Sequence, residues 1–371
     1  MATAGAGRKK DVRSLAEHPG LHAPGDGGPP QAALRRTLLG SIPLAAAVLL
    51  WPGSADALTP AAFRAALASR YEALERAGVA VVRGSEGWYF LARELRSYSR
   101  GRFWGEDSLA ASAAGKDRDP LGAILEFNDM LARVGVRLIV VPVPGKVCVY
   151  ADKLDPTLAS ETRLDEYHQE FFALLSKEGV EIVDLLPDFL AMRRGGTAPY
   201  CMQDTHWSPQ AVRLAASRVA ALVRREPWYA GARKVTPTVT RREIEVRGDL
   251  AAMLKDESAP KERLVVEEVR LDGRFMESDR SSPLVLAGDS HSLVYHRALL
   301  AEGAGLADLL CAELGLTVDV VGVQGSGANG SRAALARRRD NLAGKKCVVW
   351  CFSAREFTES FEGWKRVPVV R

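Results

Sequence analysis

Cysteine is scarce in this 371-residue chain: Cys148, Cys201, Cys311, Cys347 and Cys351 make five, an odd number that leaves at least one thiol unpaired and excludes a disulfide scaffold. None of the Cys and His spacings matches a zinc site, so no structural metal is expected. The Gly-rich stretch from Gln324 to Gly330 breaks the Gly-x-Gly-x-x-Gly pattern and lacks a Walker-type lysine, so it is no phosphate loop and no cofactor is expected. Charge of one sign is missing as well. Fifty Lys and Arg stand against 46 Asp and Glu, a net +4 dispersed along the chain apart from short runs such as Arg337 to Arg339. Such a balance gives no support to a nucleic-acid partner. With 47% hydrophobic and 26% charged residues, what remains is a globular protein with material for a large core.

Residues 1–57 read as a leader and export signal. Arg8, Lys9 and Lys10, then Arg35 and Arg36, precede an apolar stretch from Thr37 to Trp51, and Ala55-Asp56-Ala57 supplies small-x-small cleavage chemistry. The stretch falls short of the roughly 18 to 20 residues of a spanning helix, which favours cleavage. An uncleaved segment tethering the protein to the inner membrane is the alternative. Either way an exported protein is expected, periplasmic or otherwise extracytoplasmic.

From Pro60 to Ala77 apolar residues recur at helical spacing, and Gly84-Ser85-Glu86-Gly87 between two apolar runs signals a hairpin. Arg96 to Pro120 reads as a long surface loop. Beyond residue 121, helical patterns (121–134, 161–177, 210–224, 293–314, 332–342) alternate with short unbroken apolar runs at 137–143, 180–186, 284–287, 318–323 and 347–352. That alternation predicts an α/β fold with a parallel sheet of about five strands. Thr, Val and Arg alternation from Val235 to Asp279 predicts a small β-rich insertion over residues 235–282, leaving one domain over 58–371.

Two segments carry chemistry. The run Leu284 to Ala287 passes straight into Gly288-Asp289-Ser290 and a helix, which sets Ser290 where a parallel sheet binds ligands, beside free N–H groups and a helix dipole. Asp289 or Ser290 as a mere helix cap is the plainer alternative. Asp204-Thr205-His206-Trp207-Ser208-Pro209 precedes another helix, for which Ser208 and Pro209 serve as cap and first residue. A serine needs a base, and the base needs a carboxylate to hold its tautomer; His206 and Asp204 offer that pair two residues apart. His291, next to Ser290, is the rival base. Trp88, Tyr89, Trp104 and Trp207 are candidates for stacking on sugar rings, with core packing as their other role.

Gly288-Asp-Ser with a separate Asp-x-His resembles the SGNH hydrolases, whose serine block normally comes first in the chain and whose histidine block comes last. The reversed order here resembles the alginate O-acetyltransferases of the AlgJ/AlgX type, which look like circularly permuted SGNH folds. Glu86-Gly-Trp-Tyr-Phe-Leu, Val141-Pro-Val-Pro-Gly-Lys146 with Tyr150, Asp204-Thr-His-Trp-Ser and Gly248-Asp-Leu extend the resemblance over most of residues 80–357. It implies an SGNH-hydrolase-like (flavodoxin-like) sheet, with Ser290 as nucleophile, His206 as base and Asp204 as orienting acid. It further implies Gly327 and Asn329 as oxyanion donors with Arg355 behind them, although the loop from Gln324 to Gly330 also reads as a plain tight turn. The expected activity is acetyl transfer through an acetyl-serine to a polysaccharide acceptor, the acetyl donor being supplied by a membrane O-acyltransferase. A carbohydrate acetylesterase with the same triad and a non-catalytic polysaccharide-binding assembly protein are the alternatives. AlgX-like members carry a C-terminal carbohydrate-binding module, so the chain is AlgJ-like in extent.

Overall fold

Apolar runs without a polar face have no side to offer water, so each must be covered on both. The computed structural model, which describes residues 58–371 apart from Ala298, covers them in that way. Strands β1 (Val81–Arg83) and β2 (Tyr89–Leu91) pair as an antiparallel hairpin. β3 (Arg137–Val143) and β4 (Glu181–Ile182) follow. β5 (Thr238–Val246), β6 (Glu262–Leu271) and β7 (Arg274–Phe275) form an antiparallel sheet of their own. β8 (Leu284–Gly288), β9 (Asp319–Gly322) and β10 (Cys347–Ser353) join β3 and β4 in one five-stranded parallel sheet, in the order β4-β3-β10-β8-β9.

Alternation along the strands divides the core. Cys347, Val349 and Cys351 of β10 pack with Ile139 and Val141 of β3 against helices Pro209–Val223 and Leu306–Leu314. Val348, Trp350 and Phe352 pack with Leu138 and Val140 against helices Pro120–Ala132, Glu166–Lys177 and Gly327–Arg338. The five cysteines are all free thiols. If β8 is counted first, then β9, β10, β3 and β4, the spatial order becomes 2-1-3-4-5, the flavodoxin-like arrangement. The chain therefore enters a doubly wound sheet at its fourth strand, which is the permutation inferred from the motif order. The direction of winding reverses between β8 and β10. Ligands of such sheets bind outside the carboxyl ends of the strands at that point.

Three local expectations are corrected. The run 180–186 keeps only Glu181 and Ile182 as strand, because Asp184 accepts the N–H of Leu186 at 3.2 Å and starts helix Leu186–Arg194. The pattern 293–314 is broken into Ser290–Leu293 and Leu306–Leu314. Tyr295 takes φ 65°, and a Cβ at Gly305 would crowd the His296 backbone at 2.7 Å, so no continuous helix passes. Arg96 to Pro120 is not a surface loop throughout. Helix Ala92–Ser99 occupies its start, and Phe103 and Trp104 are buried, Phe103 stacking on Phe357 at 5.3 Å.

Among the described residues no helix is long and apolar enough to cross a membrane. The expected leader and export signal, residues 1–57, lies outside the described residues.

Candidate active site

At the carboxyl end of β8 the chain passes the carbonyl of Cys351 so closely that a Cβ on Gly288 would overlap it, and the same Cβ would lie 2.9 Å from that of Ser292. Only glycine permits this approach. It seats the following turn over the crevice between β8 and β10. Asp289 then caps the short helix by accepting the N–H of His291 at 2.8 Å, while its second oxygen accepts the N–H of Ser353 at 3.0 Å. Burial works to raise the Asp289 carboxyl, but the His291 charge, the hydrogen bond from His291 and the Ser353 N–H hold it down at about 2. Asp289 is thus the cap and strand tie, and Ser290 is left half-buried with its hydroxyl at the sheet edge.

Ser290 Oγ donates to His206 Nε2 at 2.8 Å, and His206 Nδ1 donates to Asp204 Oδ1 at 2.6 Å. Asp204 also accepts the backbone N–H of His206 at 2.8 Å, and its other oxygen accepts the N–H of Asp249 at 2.8 Å. Burial alone would raise the Asp204 carboxyl; the imidazole and these donors take it below its ordinary value. Burial would likewise depress His206, but the Asp204 hydrogen bond and charge, then Asp249 and Asp289, raise it above the ordinary histidine value. The arrangement is that of a serine with a base whose cationic form is held in place. His291, the rival base, is buried with its ring 4.8 Å from that of His206 and 3.4 Å from Asp289; burial lowers it, and it makes no hydrogen bond to Ser290.

The other motifs hold this constellation. Ser208 caps helix Pro209–Val223, and the fully buried Trp207 donates its indole N–H to the carbonyl of His291 at 3.1 Å, linking the His206 and Ser290 segments directly. Lys146, buried at the start of helix Lys146–Leu154, donates to the carbonyls of Tyr89 at 3.1 Å, Met202 at 3.2 Å and Asp204. Trp88 stacks on Tyr150 with ring centroids 3.8 Å apart. The hairpin and the β3 loop are in this way the bed on which Asp204 and His206 lie. The expectation of exposed sugar-stacking aromatics is corrected, since Trp88, Tyr89, Trp104 and Trp207 are all buried in packing.

Of the expected oxyanion donors, Asn329 is corrected. Its amide donates to the carbonyl of Gly363 and to Ser360 Oγ at 3.4 Å, so it fastens the C-terminal segment and has no N–H to spare. Gly327 opens helix Gly327–Arg338 with φ 53°, tight against the Glu356 side chain. Glu356 is pushed up to about 7 by burial. Gly327, Arg93 and Glu356 border a cavity of about 410 Å³ at the ends of β9 and β10. Arg355 follows β10, holds one buried guanidinium nitrogen without a partner, and adds positive potential at Asp289 and His291.

Asp249, in the Gly248-Asp-Leu motif, lies beside the Asp204–His206 pair, a proximity that nothing in the local sequence marks. Asp204, His206 and Asp249 place ligand-type atoms within 4.8 Å of one another. Their grouping is accounted for by hydrogen bonds, His206 giving one nitrogen to Asp204 and the other to Ser290.

A family model described as an SGNH hydrolase-like domain, acetyltransferase AlgX, matches residues 81–354. The probable alginate O-acetylase AlgJ of Pseudomonas syringae pv. tomato is 25% identical over 174 residues, 47% of this chain and 41% of that protein. Its counterpart in Pseudomonas fluorescens is 26% identical over 170 residues, 43% of this chain and 42% of that protein. The chain thus spans less than half the length of these curated relatives. Among solved structures, the O-acetyltransferase domain of Pseudomonas putida AlgJ superposes with a TM-score of 0.56 at 21% identity, over 75% of this chain and 92% of that one. Pseudomonas aeruginosa AlgX gives 0.53 at 18% identity, over 74% and 61%. At such identities the likeness speaks for the fold.

Proposed function

The chain belongs to the family of SGNH hydrolase-like AlgX acetyltransferase domains, and from that premise we propose that it is an O-acetyltransferase acting on an exported polysaccharide. The observation that carries the reading is the unbroken hydrogen-bond chain from Ser290 through His206 to Asp204 at the switch point of the sheet. His206 takes the proton of Ser290 as Oγ attacks an acetyl carbonyl, and the imidazolium is stabilised by Asp204. The tetrahedral oxyanion is met by the N–H of Ser290, which as the first helical residue has no partner within the helix, and by that of Gly327, with the Arg355 charge behind. Collapse expels the donor's leaving group, protonated by His206, and leaves acetyl-Ser290.

A sugar hydroxyl deprotonated by His206 then attacks the ester, and Ser290 departs with the proton. Transfer outruns hydrolysis only if the acceptor is positioned better than water. An extracytoplasmic setting, a donor supplied by a membrane O-acyltransferase, and alginate or another exopolysaccharide as acceptor complete the reading. The names of the curated relatives support an alginate-like acceptor. The test is incubation of the purified protein with an activated acetyl ester, with and without alginate oligosaccharide. Acetylated oligosaccharide that disappears with Ser290→Ala supports transfer. Acetate release that no acceptor diverts makes the protein an esterase, and transfer that survives Ser290→Ala overturns the site.

A further inference from the structure

The loop joining β5 to the short helix Asp249–Met253 approaches the catalytic segment at backbone distance. A Cβ on Gly248 would lie 2.6 Å from the nitrogen of Asp204 and closer still to the carbonyl of Gln203. Contact this tight brings three hydrogen bonds together. The N–H of Asp249 donates to Asp204 Oδ2 at 2.8 Å, the N–H of Thr205 donates to Asp249 Oδ1 at 2.7 Å, and Thr205 Oγ1 donates to Asp249 Oδ2. The same Oδ2 lies 3.9 Å from His206 Nδ1, and the carboxylate is partly open to solvent, unlike that of Asp204.

We propose that Asp249 is a second carboxylate of the site, a positioning residue that fixes the Asp204–His206 pair and shares the charge of the imidazolium. The inference rests on Ser290 and His206 acting as proposed above. One oxygen of Asp204 is directed to the ring by the other being held on the Asp249 N–H. The Asp249 carboxylate clamps the residue between acid and base at two points, so that rotation of the Thr205 backbone, which would swing Asp204 and His206 apart, costs both bonds. Its charge also adds to that of Asp204 when His206 becomes cationic.

The groups facing His206 are Asp204 and the Thr205 hydroxyl, 3.5 Å from Nδ1, within its own segment, Asp249 from the β5 side, and Asp289, Ser290 and His291 from the β8 turn. Lys146 approaches through the Asp204 carbonyl. Of these, Asp249 is the carboxylate that can be neutralised without removing a triad member, its immediate partner or the β8–β10 tie.

The test is the pH profile of kcat/KM for hydrolysis of an activated acetyl ester by Asp249→Asn and Thr205→Val, with the His206 imidazole titrated by NMR in each. Asp249→Asn keeps the backbone donor and the side-chain shape but loses the charge. It is expected to move the acid limb and the imidazole titration to lower pH and to cut the plateau by roughly tenfold with KM unchanged, about the worth of one charge-assisted hydrogen bond. Thr205→Val is expected to lower the plateau and leave the limb in place, and Thr205→Ser to restore it. If Asp249→Asn folds and leaves limb and titration unmoved, whether or not its thermal stability falls, Asp249 is at most a loop fastener and the inference fails. If wild-type hydrolysis itself proves independent of Ser290, it is the catalytic reading that fails, while the imidazole titration still reports on Asp249.

Discussion

Replacing Gly248 by alanine tests whether catalysis depends on the clamp rather than on the triad residues alone. The added Cβ would stand 1.9 Å from the Gln203 carbonyl oxygen and 2.6 Å from the Asp204 nitrogen, where non-bonded contacts settle at about 3.5 Å. Both obstructing groups belong to the backbone of Gln203 and Asp204, so neither can rotate away. Relief requires the loop or the Asp204–His206 segment to retreat by about 1.5 Å. A retreat of that size stretches the Asp249-to-Asp204 and Thr205-to-Asp249 hydrogen bonds beyond their range. Losing two or three such bonds lowers stability by about 2–4 kcal/mol, and a 1 Å misplacement of the acid–base pair lowers kcat/KM by about a hundredfold. The assay is steady-state hydrolysis of an activated acetyl ester alongside urea unfolding. Gly115→Ala, where a Cβ meets nothing within 4 Å, is the control and is expected to match wild type. A Gly248→Ala protein with wild-type kcat/KM and an unchanged urea midpoint would refute the reasoning.

Three further outcomes follow from the same geometry. His206 sits above its ordinary value of 6.5, so as a base it becomes available only at higher pH. The acid limb of kcat/KM is expected above pH 6.5, while the stability contributed by the raised imidazole is present below that pH and lost as pH rises through the folded value; a limb below 6 contradicts this. Asp289 falls from 3.8 to about 2, so its contribution, about 2 kcal/mol, is present above pH 4 and lost as pH drops toward 2. Urea unfolding of wild type and Asp289→Asn should converge over that window, and parallel curves argue against it. Trp207→Ala, which empties a fully buried site and removes the bond to His291, is expected to cost about 3–5 kcal/mol by thermal unfolding; a loss under about 1 kcal/mol contradicts the packing described.

The five parallel strands were legible because each is an apolar run bounded by turn residues, and their register with the helices followed from the alternation. β4 came out shorter because a sequence run cannot tell where a side chain such as Asp184 turns the chain by accepting the N–H two residues on. The break after Leu293 was hidden because Gly303 and Gly305 sit inside an otherwise helical pattern, and the left-handed Tyr295 carries no mark in its side chain. Ser290, His206 and Asp204 stood out by chemistry and by lying at strand ends, and the structure brings them together. Asn329 had the right chemistry and the right loop, but its amide partners, Ser360 and Gly363, lie more than thirty residues on. Asp249 was invisible for the same reason, its bonds reaching back 44 and 45 residues to Thr205 and Asp204. For Trp88, Tyr89, Trp104 and Trp207 the sequence left sugar stacking and core packing both open, and burial decides for packing.

The central claim is that Ser290 carries the acetyl group. Mass spectrometry of the protein quenched during reaction with an activated acetyl ester tests it most directly. The account predicts one acetyl adduct on the peptide containing Ser290, absent in Ser290→Ala and His206→Ala and discharged by added acceptor. Turnover without an adduct at Ser290, or an adduct that persists in His206→Ala at the wild-type rate, would contradict it.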